Sequence, residues 1–571
     1  MNAAPPRASR DWLAALETTA RATRDIHRTL PRAVLEWAEQ RAEAPALFGD
    51  TGHFSYAALA ARMNQISRWG LRQGVRKGET VGLRLGNRPD YFAVWLGLTQ
   101  IGAVVALLSP DWGEAALDHA LRVSAASRLI ASDDVAAAGA EVWTYARFDT
   151  EVRAESPAPL DAEERREVTL DDKALRIFTS GTTGFPKAAE VSHRRIVLWT
   201  HWFAGLAGLG PEDRHYDCLP MHHSVGGVVA IGAPLVNGGS VVIAERFSAR
   251  GFLADIARFD CTSFQYIGEL CRYLLAAPEA PRPPRLRLAL GNGLAPDVWE
   301  RFQARFAPLR VLEFYASTEG NVWLYNVEGR PGKLGRAPPA LAAREPIALA
   351  AFDEETQMPW RGPDGFGRRC GVDVPGEALG RLDEARAGRF EGYSDAGETE
   401  KKILRDLFEK GDAWMRTGDL MRRDAEGFYA FVDRIGDTFR WKGENVAAAE
   451  VAAVCAGAPG VEDALVYGVA VPGCEGRAGM ALLKAPGPLD LAGFARHLEA
   501  LPRYARPLFL RVTAEIATTE TLKPKRRLFA ESGFDPARCA DLLFVLHPET
   551  GAYVPLDAAV HAAIVKSDLR L

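Results

Sequence analysis

Residues 178–193 read FTSGTTGFPKAAEVSH. The stretch is rich in hydroxyl groups and glycine, carries one lysine, Lys187, and lies between segments able to bury themselves. A loop of this make-up at the end of a strand suits an anion, because backbone N–H groups and hydroxyls can turn inward while the ammonium supplies charge. The preceding LRIF predicts an apolar strand. A helix is expected after Ser192, whose hydroxyl can cap it. The GxxxxGK[ST] phosphate-loop pattern is absent; Gly181, Gly184 and Lys187 form G-x-x-G-x-x-K instead. Taken alone, the stretch is equally readable as a Ser/Gly-rich surface loop.

Outward from this loop, short apolar runs alternate with helical spacing. TVGLRLGN (80–87) and GAVVALLSP (102–110) predict buried strands, with PDYFAVWLGLTQI (89–101) a helix between them. GSVVIAERF (239–247), LRLALGNGL (286–294) and LRVLEFYAS (309–317) predict further strands, the second ending on a glycine loop. PDVWERFQARF (296–306) begins a helix with proline in its first turn. This alternation predicts an α/β fold of parallel-rich sheets with covering helices, binding ligands at the carboxyl ends of the strands.

Near residue 434 the pattern changes. FYAFVDRIGDTFRWKGENVAAAEVAAVC (428–455) reads as strand, glycine-bearing connection, short strand, loop and helix. ALVYGVAV, AGMALLK, LAGFARHLEA and LFLRVT then make a compact α+β pattern. The expected division is a large domain, 1–434, and a small mobile one, 435–571. Residues 379–417 are charged and read as an irregular surface excursion of the larger domain.

The 571 residues are 47% hydrophobic and 25% charged, an ordinary globular composition, and 69 − 74 gives a net charge of −5. No global basic field invites nucleic acid. Seven cysteines without CxxC spacing point to a reducing compartment. The first residues lack the apolar core of a signal peptide. WLGLTQIGAVVALLS (95–109) falls short of the roughly 20 residues a spanning helix needs. The expectation is a cytoplasmic protein, with peripheral contact at the inner face of a membrane left open.

TSGTTGFPK closely resembles the phosphate loop of adenylate-forming enzymes: acyl-CoA synthetases, luciferases and peptide-synthetase adenylation domains. Further motifs follow in that family's order. LPMHHSVGG (219–227) resembles its acyl-site strand and loop, YASTEG (315–320) its Y-x-x-T-E element, and RTGDL (416–420) its ribose-binding T-G-D. DRIGDTFRWKGENV (433–446) resembles the interdomain hinge and following loop, and TTETLKPKRR (518–527) the motif of the catalytic lysine. YIGELCRYLL, LALGNGL, EFYASTEGN and GDTFRWKGENV look like the fatty-acid transport protein and very-long-chain acyl-CoA synthetase branch.

The resemblance implies ATP, magnesium and CoA chemistry on a fatty acid. Thr179, Ser180, Gly181, Thr182, Thr183, Gly184 and Lys187 would hold the β- and γ-phosphates. Glu319 would bind magnesium, a hard ion that prefers oxygen. Tyr315 would stack on adenine opposite Gly291, Asn292 and Gly293, and Thr318 would touch the α-phosphate. Asp419 would accept both ribose hydroxyls, assisted by Arg434. Lys523 would bridge carboxylate and α-phosphate, with Lys525 next in line if the register shifts. His223, beside His222, would lie next to the acyl carboxylate, a satisfied loop histidine being the alternative. Trp441, Lys442 and Gly443 would approach with CoA after a rotation about Gly436. The apolar stretches 196–209 and 264–275, both read as helices, would wall a fatty-acid tunnel or be plain core.

Overall fold

The computed structural model describes residues 7–50, 52–132, 135, 137, 139–179, 186–338, 347–353, 356–382, 390–435, 438–441, 444–472, 474, 476–518, 526–566, 568–569 and 571. They fall into two compact units: Met1–Ile347 with Leu379–Thr417, and Ala348–Ala378 with Gly418–Leu571. The line therefore does not follow 434/435. Compactness groups Ala348–Ala378, and the chain from Gly418 onward, with the C-terminal residues.

Two large sheets make up the first unit. The six-stranded sheet runs Glu141–Thr144, Arg128–Ala131, Thr80–Arg84, Val104–Leu107, Lys173–Thr179, Lys187–Ser192. Only its last pair is antiparallel. The eight-stranded sheet runs Trp323–Asn326, Arg310–Ala316, Leu288–Asn292, Ser263–Ile267, Arg214–Asp217, Ser240–Ile243, Pro45–Gly49, Gly52–Ser55. Its six inner strands are parallel and both edge strands antiparallel. The α/β reading of alternating strands and helices thus matches the architecture.

The helix Pro89–Gln100 is buried over almost its whole length, as its all-round apolar sequence requires. It lies against Tyr56–Arg72 so closely that a Cβ on Gly97 would sit 2.8 Å from the Ile66 Cβ. No helix among the described residues is long and apolar enough to cross a membrane.

Several local readings need correction. The helix expected after Ser192 is present, but a strand separates it from the anion loop. That loop joins two antiparallel strands, with Thr179 paired to Lys187, and the helix His193–Ala207 begins only after the second. Ser192 is its cap, accepting from the Arg195 N–H. The LPMHHS stretch is not a strand, because the strand Arg214–Asp217 ends before it and the π-helical turn Val225–Val229 follows. Ser263–Ile267 is a strand, not part of an apolar helix; the helix there is Gly268–Ala276. The other proposed tunnel wall, His193–Ala207, turns one face into filled core, with Phe203 4.7 Å from Phe314 and Trp202 5.6 Å from Trp12.

In the second unit, Asp463–Ala470, Arg477–Lys484, Phe509–Thr513, Leu542–Leu546 and Tyr553–Pro555 form a sheet in that order. Ala448–Ala456 and Leu491–His497 bury residues in the same core. Phe439–Trp441 and Glu444–Val446 pair antiparallel, where the sequence reading gave one strand and a loop.

Candidate active site

The candidate phosphate corner lies where the strands Lys173–Thr179 and Lys187–Ser192 end on the pair Thr179 and Lys187. Ser180, Gly181, Thr182, Thr183 and Gly184 lie outside the described residues; Thr179 and Lys187 flank them. The Lys187 ammonium makes a close ion pair with Glu398 Oε2 and stands 5.8 Å from the Tyr393 ring centre. Hydrogen bonds from Lys187 and Lys401 hold the Glu398 carboxyl down at about 2. Tyr393, 7% exposed, donates to Glu319 Oε1 at 2.8 Å and is hydrogen-bonded to Thr179. Burial and the Glu319 charge push its phenol well above the usual range.

Tyr393 and Glu398 were not legible as site residues. They come from the passage read as a surface excursion, yet residues 391–394 run along the strand Lys187–Ser192. Glu190 N donates to the Gly392 carbonyl and Ser394 N to that of Ala188. The Glu391 carboxylate accepts from Ser192 N (2.7 Å) and Ser192 Oγ (2.5 Å) and pairs with Lys173. Ser394 Oγ donates to Glu190 at 2.6 Å. The only sequence cue was a Gly-Tyr pair inside a charged run.

Next to this corner is the turn after Arg310–Ala316. Thr318 and Ser224 share a hydroxyl hydrogen bond of 2.9 Å, which ties the Y-x-x-T-E element to the loop carrying His222 and His223. The two imidazoles lie 4.3 Å apart, centre to centre. Arg195, 4% exposed, donates closely to the Gly320 carbonyl and stacks 5.3 Å from Trp199. A buried guanidinium thus fixes the turn just after Glu319, another residue the sequence reading missed. A third is Asn87. Its Nδ2 donates to the carbonyls of Leu219 (2.8 Å) and Ala244 (3.2 Å), and its Oδ1 accepts from Met221 N (2.9 Å).

Gly291, Asn292 and Gly293 end a strand adjacent to the one carrying Tyr315, with Gly291 opposite Glu313. Gly293 has φ +79°, and a Cβ on Gly268 would lie 1.9 Å from the Gly293 carbonyl oxygen, so neither position tolerates a side chain. Glu313, 2% exposed, accepts from Leu294 N at 3.0 Å and from Gly293 N, and receives a close hydrogen bond from the Tyr266 hydroxyl. Burial nevertheless raises its carboxyl to about 8.

In the second unit, Asp419 pairs with Arg434 across antiparallel strands, Oδ1 to Nε 3.3 Å. The T-G-D triplet lies within the strand Ala413–Arg423, with Gly418 at φ +80°. Trp441 is 3% exposed in that unit's core, so its indole serves packing. Gly436, Lys442, Gly443, Lys523 and Lys525 lie outside the described residues.

A family model described as AMP-binding enzyme matches residues 34–348. Long-chain fatty acid transport protein 1 of Rattus norvegicus is 37% identical over 571 residues, covering 95% of this chain and 88% of the relative. Long-chain fatty acid transport protein 3 of Homo sapiens is 40% identical over 521 residues, covering 86% and 76%. Among solved structures, ATP-bound MatB from Rhodopseudomonas palustris has a TM-score of 0.76 at 22% identity, covering 89% of this chain and 99% of that one. The o-succinylbenzoate coenzyme A synthetase MenE from Bacillus subtilis, in complex with AMP, has 0.71 at 22%, covering 87% and 97%. The two structures share the fold; the family model and the near-full-length relatives settle the lineage. The chain belongs to the AMP-binding, adenylate-forming acyl-CoA ligase family, in the branch of the long-chain fatty acid transport proteins.

Proposed function

We propose that the protein is an ATP-dependent long-chain or very-long-chain fatty acid–CoA ligase. The observation that carries the reading is the convergence of Thr179, Lys187, Glu319 and Thr318 on one corner, linked through Tyr393 and Ser224. The names of relatives matching most of the chain support the substrate class.

In the first half-reaction a carboxylate oxygen attacks the α-phosphorus, and the bond to the β-phosphate bridging oxygen breaks. The products are acyl-AMP and pyrophosphate. Bringing two anions together demands positioning and neutralisation. Lys187, Thr179 and the 180–184 loop take the β- and γ-phosphates, Thr318 the α-phosphate, and Lys523 bridges the reacting groups. Tyr315 and residues 291–293 receive adenine, and Asp419 with Arg434 the ribose. Glu319 fits a magnesium ion, because its Oε1 accepts the Tyr393 hydroxyl hydrogen, a place that a hard cation would take in its stead. When bound, magnesium supplies charge neutralisation on the phosphates.

In the second half-reaction the CoA sulfur attacks the acyl carbonyl beside His223. AMP leaves with the bonding pair, and the thiol proton passes to solvent. Rotation of the C-terminal residues about Gly436 withdraws Lys523 and brings in Trp441, Lys442 and Gly443. The site is expected to work in the cytoplasm, with its fatty acid drawn from a membrane face.

Pyrophosphate release measured over carboxylic acids of graded length, with and without CoA and over a magnesium titration, tests the reading. Release should climb with chain length, by up to ~0.8 kcal/mol per buried methylene, and require magnesium. A flat profile, or an aryl acid as the best substrate, overturns it. Release that proceeds while no acyl-CoA forms points to a carrier-protein acceptor instead. Lys523→Ala should lose adenylation yet keep thioester formation from supplied acyl-AMP.

A further inference from the structure

Two groups at the phosphate corner suit magnesium–polyphosphate: the Lys187 ammonium for phosphate oxygens and the Glu319 carboxylate for a hard cation. Each already has a partner of the matching kind, and both partners come from one segment. Glu398 offers Lys187 a carboxylate in the manner of a phosphate oxygen, and Tyr393 offers Glu319 a hydroxyl hydrogen in place of a cation. The segment is fastened independently of these contacts, by Glu391 on Ser192 and Lys173 and by Ser394 on Glu190. Asp395 caps its short helix, accepting from the N–H groups of Gly397 and Glu398.

We infer that Tyr393 and Glu398 are built-in counter-groups of the polyphosphate site. Magnesium–polyphosphate must displace the Tyr393 hydroxyl from Glu319 and the Glu398 carboxylate from Lys187, and Glu398 thereby sets how readily pyrophosphate leaves. The inference rests on the ligase reading above.

The geometry provides for the exchange. Glu398 uses its two oxygens separately, Oε2 on Lys187 and Oε1 on Lys401 at 2.6 Å. When Lys187 turns to a phosphate, the carboxylate keeps its second cation and is not stranded. Its depressed titration keeps it ionised at any working pH, so the competition is constant. Loss of Glu398 costs Lys187 a fixed orientation, which is worth one side chain's rotamer freedom. It also removes a negative charge a few ångströms from a polyanion carrying several, and that effect is the larger at partly buried sites. Removing the acid therefore tightens pyrophosphate binding.

Calorimetric titration of magnesium pyrophosphate into the full-length wild type, Glu398→Gln and Tyr393→Phe tests this, with AMP as a ligand lacking the β- and γ-phosphates. Glu398→Gln should bind magnesium pyrophosphate about tenfold tighter. Tyr393→Phe should bind it roughly threefold tighter, and only with magnesium present. AMP affinity should move less than about twofold in either. Unchanged or weaker pyrophosphate binding in Glu398→Gln, with a normally binding wild type, overturns this inference alone. An equal shift in AMP affinity shows a general disturbance and overturns it too. A wild type that binds no magnesium pyrophosphate overturns the ligase reading along with it.

Discussion

Glu398 and Glu313 are the same side chain put to opposite uses within one unit. At the phosphate corner, Lys187 and Lys401 hold Glu398 charged, down at about 2. Beneath the glycine loop, burial drives Glu313 up to about 8, although Tyr266 and two backbone N–H groups point at it. The corner keeps its charge and its partners are interchangeable. The floor suppresses charge and its partners are fixed, with a Cβ on Gly291 falling 2.2 Å from the Tyr266 carbonyl oxygen. The candidate site therefore couples a rigid floor under residues 291–293 to an electrostatically soft corner at Lys187.

The largest effect should come from breaking the floor. Glu313→Ala orphans the Tyr266 hydroxyl and the N–H groups of Gly293 and Leu294 and opens a cavity, so about 3–5 kcal/mol of stability should go. Urea unfolding reads it; a loss under about 1 kcal/mol would show the floor to be as soft as the corner. Next comes Lys187→Ala, which removes a preorganised charge and should cut ATP–pyrophosphate exchange about a hundredfold. Exchange within about threefold of wild type would mean that the corner does not hold the polyphosphate.

A third effect sharpens the contrast through pH. The folded-state carboxyl of Glu313 titrates near 8 and the unfolded one near 4.5. Between those values the folded state binds the extra proton, so this contribution is full below the lower one and is lost as pH rises through the upper. From about pH 6 to 7.5 the wild type should lose about 2 kcal/mol more than Glu313→Gln, whose amide does not titrate. Parallel unfolding profiles would count against a neutral Glu313. The smallest effect is Glu398→Ala. A partly solvated ion pair contributes little, so stability should stay within about 1 kcal/mol; a larger loss in thermal melting would make the corner structural.

The α/β class, several of its strands and the loop after Phe178 were readable because apolar runs and turn residues alternate locally. KAAEVS, the strand Lys187–Ser192, was not. Its alanines and glutamate favour helix, and it is a strand only because Lys173–Thr179 pairs along one side of it and residues 391–394 bond to the other. FQYI, taken into a helix, is strand for the same tertiary reason: it pairs with Leu288–Asn292. Tyr315, Thr318 and Glu319 could be singled out because their signature is contiguous. Tyr393 and Glu398 were missed because what makes them site residues is a contact with chain far away in sequence. Arg195 looked like one cation among several in SHRRI, and only its burial against the Gly320 carbonyl distinguishes it.

Asn87 gives the histidine-bearing loop a place in the order of folding. Its three hydrogen-bond partners lie 132, 134 and 157 residues further along the chain. At roughly 5–20 residues per second, Asn87 is synthesised about 8–31 seconds before the last partner. The full set of three bonds therefore cannot form before the strand Ser240–Ile243 has been made and has brought Ala244 alongside. The earlier strands and the helix Pro89–Gln100 can assemble in the meantime, leaving Asn87 as a waiting socket. A released chain truncated before residue 244 would keep the strands of the six-stranded scaffold but lack one of the three bonds around Asn87, and residues 219–224 should then be more open to protease.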